Sequence, residues 1–235
     1  MNLIRAWAIK PQSSHGYFIL PIVLWLCWLR RGRLANLKVG GSNMGFFFLT
    51  PGLLLYFLSI VLCVDTAANI SMMLCLAGVI WTILGSAVFR AYLFPYVFLV
   101  FMFPIPDAFY VSLTNPLKLF VSDVSANLIQ NLGVNAYQDG NIFHFANFKF
   151  EVVEACCGMN SLISYLMIGV LLSSFLGEGY WKKGLLIVMA FSIALLNNIV
   201  RITGTAILAH WYGQEVAQGF FHEFVGLTTF GLGFC

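Results

Sequence analysis

Seven apolar runs constrain this chain more than any motif does: Tyr17 to Leu29, Gly45 to Val64, Ile70 to Val88, Tyr92 to Phe103, Met159 to Leu176, Gly184 to Val200, and Phe224 to Cys235. A run of about 20 residues with almost no charge matches the hydrocarbon thickness of a bilayer. In that medium the backbone must satisfy its own hydrogen bonds, which leaves the α-helix as the spanning form. Of the 235 residues 60% are hydrophobic and 9% charged, against about 25% charged in soluble domains, so a water-soluble globule is excluded. The formal charge of +3 is too weak over so apolar a chain for a nucleic-acid surface. The expected fold is an all-α integral membrane protein with about seven transmembrane helices, a single polytopic domain over residues 1–235 whose solvent is the lipid bilayer. The last run, of 12 residues, would be short, tilted or truncated.

Charge sets the orientation. Arg30, Arg31, Arg33 and Lys38 place four cations directly after the first run, and basic residues beside a span resist translocation, so this loop is expected in the cytoplasm. Alternation then puts Asp65 outside, Arg90 inside, residues 104–157 outside and Lys182 with Lys183 inside, where the lysines agree with the rule. The stub Met1 to Gln12 carries Arg5 and Lys10 on the outer side, against the rule. It lacks the apolar core and cleavage site of a signal peptide and reads as an interfacial helix.

The long outer segment carries two weaker patterns. Asn115 as a cap and Pro116 at the first helical position predict a helix start. From there Leu117, Phe120, Val121, Val124, Leu128 and Leu132 recur mostly at steps of three and four, the pattern of a short amphipathic helix on the extracytoplasmic membrane surface. Asp139-Gly140-Asn141 is a turn signal between residues 135–138 and the Phe-rich stretch 142–153, which predicts a β-hairpin on the same side.

Chemistry is sought where polar residues are expensive. Cys27, Cys63 and Cys75 lie inside apolar runs and read as small buried hydrophobes. No Cys/His cluster has zinc spacing, and the adjacent Cys156 and Cys157 suit no ordinary disulfide, so neither a metal nor a cofactor is expected. Three other residues share the outer face by the alternation: Cys156 before the fifth run, Arg201 after the sixth and His222 before the last. A thiol at a helix N-terminus is acidified by the helix dipole and can serve as a nucleophile. A histidine can take its proton and return it to a leaving amine. A guanidinium suits the oxyanion of an attacked carbonyl. Together they compose an acyl-transfer site, Cys156 as nucleophile, Arg201 for the oxyanion and His222 as general acid and base. Taken singly, each has a plainer reading: an inert thiol, a headgroup-level arginine, an interfacial histidine. His144 and His210 compete for the third role, and Asp107, Glu151 and Glu154 are further outer-side carboxylates.

The motifs, in order, resemble the exosortase and archaeosortase membrane proteins, on the exosortase side, over nearly the whole chain. Ser14-His15-Gly16 resembles the family's N-terminal signature, and Phe94-Pro95 through Phe103-Pro104-Ile105-Pro106 its Phe-Pro…Pro-x-Pro segment; Asn115-Pro116-Leu117 is a weaker match to its outer helix. Glu154-Ala155-Cys156-Cys157-Gly158 resembles its nucleophile motif, Asn198-Ile199-Val200-Arg201-Ile202 its Asn-x-x-Arg motif, and His222-Glu223-Phe224-Val225-Gly226 its His-x-x-x-Gly motif. Cys157 stands where the family commonly has Ser and Asn160 where many members have Arg; alignment favours Cys156 as the attacking thiol. The resemblance implies a cysteine protease or transpeptidase of the bacterial inner membrane with its site on the periplasmic face. Its partners would be exported proteins ending in a short Pro-Glu-Pro-like motif, a transmembrane helix and a basic tail, with an amine or lipid as acceptor. Glu154, Asn160 and Asn198 are the expected substrate contacts. A noncatalytic transporter or exopolysaccharide-export assembly factor is the reading from another class, but no inverted repeat is visible.

Overall fold

The computed structural model describes residues 3–9, 13–34, 37, 40–145, 149–152, 159–177 and 179–213. Its contacts group into two compact units, residues 1–106 and 107–235, and each is described by itself.

The regular elements described in the first unit are all helical: α1 (Leu3–Ile9), α2 (Gly16–Leu29), α3 (Arg31–Leu34), a 3₁₀ turn over Asn43–Gly45 leading into α4 (Phe46–Leu62), α5 (Asp65–Leu84), α6 (Ser86–Ala91) and α7 (Leu93–Phe98), followed by a 3₁₀ turn over Leu99–Met102. The α4–α5 hairpin is the tightest pairing. Small residues line its seam, Gly52 and Ser59 on α4 with Ser71, Ala77 and Gly78 on α5, because helices gain close van der Waals packing in lipid only where side chains leave room. The opposite face of α4 presents Phe47, Leu54, Phe57 and Val61 outward, each more than 60% exposed, a composition that suits hydrocarbon and not water. The third apolar run was expected to end at Val88. Instead α5 stops at Leu84, and Gly85 takes φ +86°, a value side chains rarely adopt.

The Ser14-His15-Gly16 motif has a structural task in this unit. Trp7 on α1 packs its ring over Gly16 and donates its indole N–H to the Met102 carbonyl at 2.9 Å. His15 donates Nε2–H to the neighbouring Phe101 carbonyl at 3.1 Å, the only sense a carbonyl partner allows. The motif thus pins the entry of α2 to the turn that precedes Phe103-Pro104-Ile105-Pro106. The expected N-terminal helix is present as α1.

The second unit holds α8 (Asp107–Asn131), three short strands, α9 (Met159–Ser173) and α10 (Tyr180–Tyr212). Helix α8 begins at Asp107, well before the expected cap at Asn115 and first helical residue at Pro116, and Pro116 lies inside it. The buried stripe of Tyr110, Thr114, Val121, Ser125 and Ile129 runs through the proline, so side-chain burial holds the helix across the missing N–H. The hairpin is present but gains a strand. β1 (Tyr137–Asp139) pairs with β2 (Ile142–His144), and β2 pairs in turn with β3 (Lys149–Glu151), all antiparallel. Asp139 faces Ile142 across a two-residue loop whose first member, Gly140, has φ +60°, as a type II′ hairpin requires. One core joins these elements: Val121, Ala126 and Ile129 of α8, Phe143 and Val152 from the sheet region, and Ile199, Ile202 and Ala206 of α10.

Among the described residues three helical segments are long and apolar enough to cross a membrane, Asn43–Leu62, Asp65–Leu84 and Tyr180–Tyr212, with a fourth span if Leu93–Met102 and Asp107–Asn131 act as one broken crossing. Gly16–Leu29 and Met159–Ser173 are shorter apolar helices. The chain is a predominantly helical, multispan membrane protein; the expected seventh run lies outside the described residues.

Candidate active site

Of the expected catalytic residues, Arg201 is described, whereas Cys156 and His222 lie outside the described residues, as do Glu154 and Cys157. Arg201 was expected at the end of a span. It lies well inside α10, a helix of 33 residues that continues past it to Tyr212. Beyond Val200 the sequence is no longer continuously apolar, yet Ile202, Ala206 and Ala209 keep one buried stripe at helical spacing, and that stripe packs on α8 and the sheet.

Two contacts fix the register of α9 against α10. A Cβ placed on Gly169 would lie 2.8 Å from the Ala190 Cβ, so the two helices touch there because Gly169 has no side chain. Farther along, Asn197 donates its Nδ2–H to the Tyr165 hydroxyl at 3.2 Å, and Tyr165 is buried. The helices are joined by a short turn and run antiparallel. Met159 lies ten residues before Gly169 and Arg201 eleven after Ala190. Counted from the other contact, Met159 lies six residues before Tyr165 and Arg201 four after Asn197. Either way the start of α9 comes level with Arg201 to within about 3 Å along the axis, at 1.5 Å per residue.

The described residues that flank 153–158 both lie in the unit that holds Arg201. On one side stands Val152, fully buried in the core that includes Ile199 and Ile202. Asn141 grips it twice, its carbonyl accepting from the Val152 N–H at 2.9 Å and its side-chain amide donating to the Val152 carbonyl at 3.1 Å. On the other side Met159 is 1% exposed. Sequence reasoning read Asn141 only as a turn residue and gave Tyr165 no role; both signals lie in pairings between segments far apart in the chain.

Asn198 sits one turn before Arg201, where i and i+3 residues are neighbours. It is 5% exposed, and neither its amide nitrogen nor its oxygen has a hydrogen-bond partner among the described residues. Ser122 and Ser125 on α8 and Thr203 on α10 also bury hydroxyl oxygens without a partner among the described residues. Asn160 is exposed in the first turn of α9. The competing residues are placed elsewhere: His210 is exposed, with its ring 5.8 Å from that of Phe145, and His144 lies 6.0 Å from the Tyr137 ring. Asp107 opens α8, exposed, and Glu151 on β3 accepts from Asn141 at 3.4 Å. Among the described residues no cluster of His, Cys, Asp or Glu could hold a metal ion.

No curated protein and no solved structure matches the chain. A family model described as transmembrane exosortase matches residues 7–235, from α1 to the C-terminal residue, and so covers all the motifs considered above. The chain belongs to the transmembrane exosortase family.

Proposed function

We propose that this exosortase is a membrane-embedded cysteine protease and transpeptidase acting on exported proteins that end in a short motif, a transmembrane helix and a basic tail. The observation that supports the reading concerns the residues flanking 153–158: Val152 is buried in the core that includes Ile199 and Ile202, and Met159, buried at the start of α9, comes level with Arg201. Three residues of chain separate Cys156 from Met159, a reach of about 11 Å at most, short enough for the thiol to meet the guanidinium in this reading.

In this reading His222 takes the proton from Cys156, and the thiolate attacks the carbonyl of the scissile peptide. Arg201 holds the tetrahedral oxyanion through two N–H donors in a water-poor setting. Collapse breaks the C–N bond, His222 returns the proton to the departing amine, and a thioester remains. An amine or lipid nucleophile, or water, then attacks the thioester and releases Cys156. Asn198, with Glu154 and Asn160, contacts the substrate chain. Docking of the substrate helix in the bilayer supplies the positioning that a soluble protease obtains from a cleft. Seven crossings with this site on the periplasmic face of the inner membrane complete the proposal.

Cleavage of a co-expressed tripartite substrate tests it. Cys156→Ala is expected to abolish processing and Cys157→Ala to leave most of it; equal activity of the two variants would sink the nucleophile assignment. Arg201→Lys should lose about 100-fold or more, the scale of removing one oxyanion donor, because an ammonium does not reproduce the fork. The mass of the product C-terminus separates the outcomes, a free carboxylate meaning hydrolysis and an added mass meaning transfer.

A further inference from the structure

The first unit contains a cavity of about 550 Å³, within the usual range for ligand sites of about 300–1,000 Å³. Its walls are apolar, with Leu76, Ile80 and Leu84 from α5 facing Val23 and Leu99. Its polar atoms come from few residues. Arg31, exposed and stacked 3.7 Å over the Trp28 ring, contributes a guanidinium. Tyr92 contributes a hydroxyl that is buried and has no hydrogen-bond partner among the described residues.

The charge of this unit is one-sided. Residues 1–106 contain seven basic side chains, Arg5, Lys10, Arg30, Arg31, Arg33, Lys38 and Arg90, and one acidic side chain, Asp65. Asp65 opens α5, whereas the cavity is lined by Leu84 at the far end of the same helix, about 30 Å away at 1.5 Å per residue. Among the described residues Arg31 has no carboxylate partner. The countercharge at this end is missing from the unit itself.

We propose that this cavity binds one anionic phospholipid, an acyl chain lying along Leu76 and Ile80 and the phosphate held by Arg31. Basic pockets between membrane helices are suited to anionic headgroups, because the cation adds attraction where the chain is already sheltered. An α-helix about 10 Å across would fill 550 Å³ in little more than one turn, so the space suits a single hydrocarbon chain. A zwitterionic lipid brings its own ammonium beside Arg31 and gains less.

The test is native mass spectrometry of the full chain released from detergent micelles, with phosphatidylglycerol and phosphatidylcholine of identical chains. One phosphatidylglycerol is expected to remain bound, with retention about fivefold above phosphatidylcholine, the worth of one basic residue at a lipid surface. Arg31→Gln, on an exposed side chain, should bring the two lipids to the same level, and Arg31→Lys should restore the preference. Glycerol phosphate, the head without the chain, should not compete. Equal retention of both lipids by the native protein overturns the proposal, as does an undiminished preference in Arg31→Gln, displacement by glycerol phosphate, or a peptide mass in place of lipid.

Discussion

Asn198 shows how a single side chain can report on function through its cost. A buried amide with no partner destabilises its helix by roughly 1–3 kcal/mol, yet here it stands beside Arg201 in a core otherwise filled by Ile199, Ile202 and Ala206. Asn198→Leu is expected to raise unfolding stability by about 1–2 kcal/mol, as the removal of an unsatisfied group should, while substrate processing falls at least tenfold. Gain of stability with unchanged processing would make the residue a packing defect. His15 is a second case. Burial holds its imidazole below the ordinary value of 6.5, against the opposing pull of the Phe101 carbonyl. The unfolded chain therefore binds the proton more readily than the folded one, so stability should be full above about pH 6.5 and fall as pH drops through the lower folded value. Thermal unfolding in detergent between pH 7.5 and 5.5 should show this slope, and His15→Gln should flatten it; identical slopes would remove His15 from the account. The motif around His15 was visible in the sequence only as a resemblance. His15 bonds a backbone carbonyl 86 residues away, and the Trp7 that covers Gly16 bonds one 95 residues away; a carbonyl leaves no trace in residue type.

At the scale of elements, hydropathy located the helices better than it located their ends. The sixth apolar run stops at Val200 because the residues that follow, Arg201, Thr203 and Thr205, are polar, but α10 continues to Tyr212. Hydropathy records a change of surroundings and the backbone need not change with it. The same confusion placed the start of α8 at Pro116, a strong helix-start residue that burial of the Tyr110–Ile129 stripe overrides. The turn at Gly140 was legible because a positive φ demands a particular residue. The split of the following stretch into β2 and β3 was not, since alternation is the same in one strand or two. The α9–α10 hairpin offers a direct test. Gly169→Val should cost about 1–3 kcal/mol by overpacking the contact with Ala190. Exchanging the two residues, Gly169→Ala with Ala190→Gly, should recover much of it. Thermal unfolding of the three variants measures the coupling, and additive losses in the exchanged pair would mean that the contact does not set the register.

For the whole molecule, the family and the membrane class were legible in the order of motifs and the spacing of apolar runs, because both survive without knowledge of contacts. The proposed meeting of Cys156 with Arg201 was legible only as an expected shared side of the membrane; what the structure adds is the placement of Val152 and Met159, which depends on Asn141 and on the α9–α10 register. The proposed topology makes a prediction at this scale. An epitope placed in the turn at Gly177, before Lys182 and Lys183, should resist an impermeant antibody in intact spheroplasts and react after permeabilisation; reaction from outside would invert the orientation of α10. That helix also has a consequence for mechanism. From Lys183 to Arg201 it rises about 27 Å, close to the roughly 30 Å of a hydrocarbon core, as one uninterrupted rod. In the proposed topology the lysines at its foot anchor it at one interface, so the height at which the guanidinium emerges at the other would be set by membrane thickness as well as by protein contacts. If the proposed site is right, lipid chain length becomes a geometric parameter of the reaction centre, able to lift Arg201 toward water or draw it down among the acyl tails.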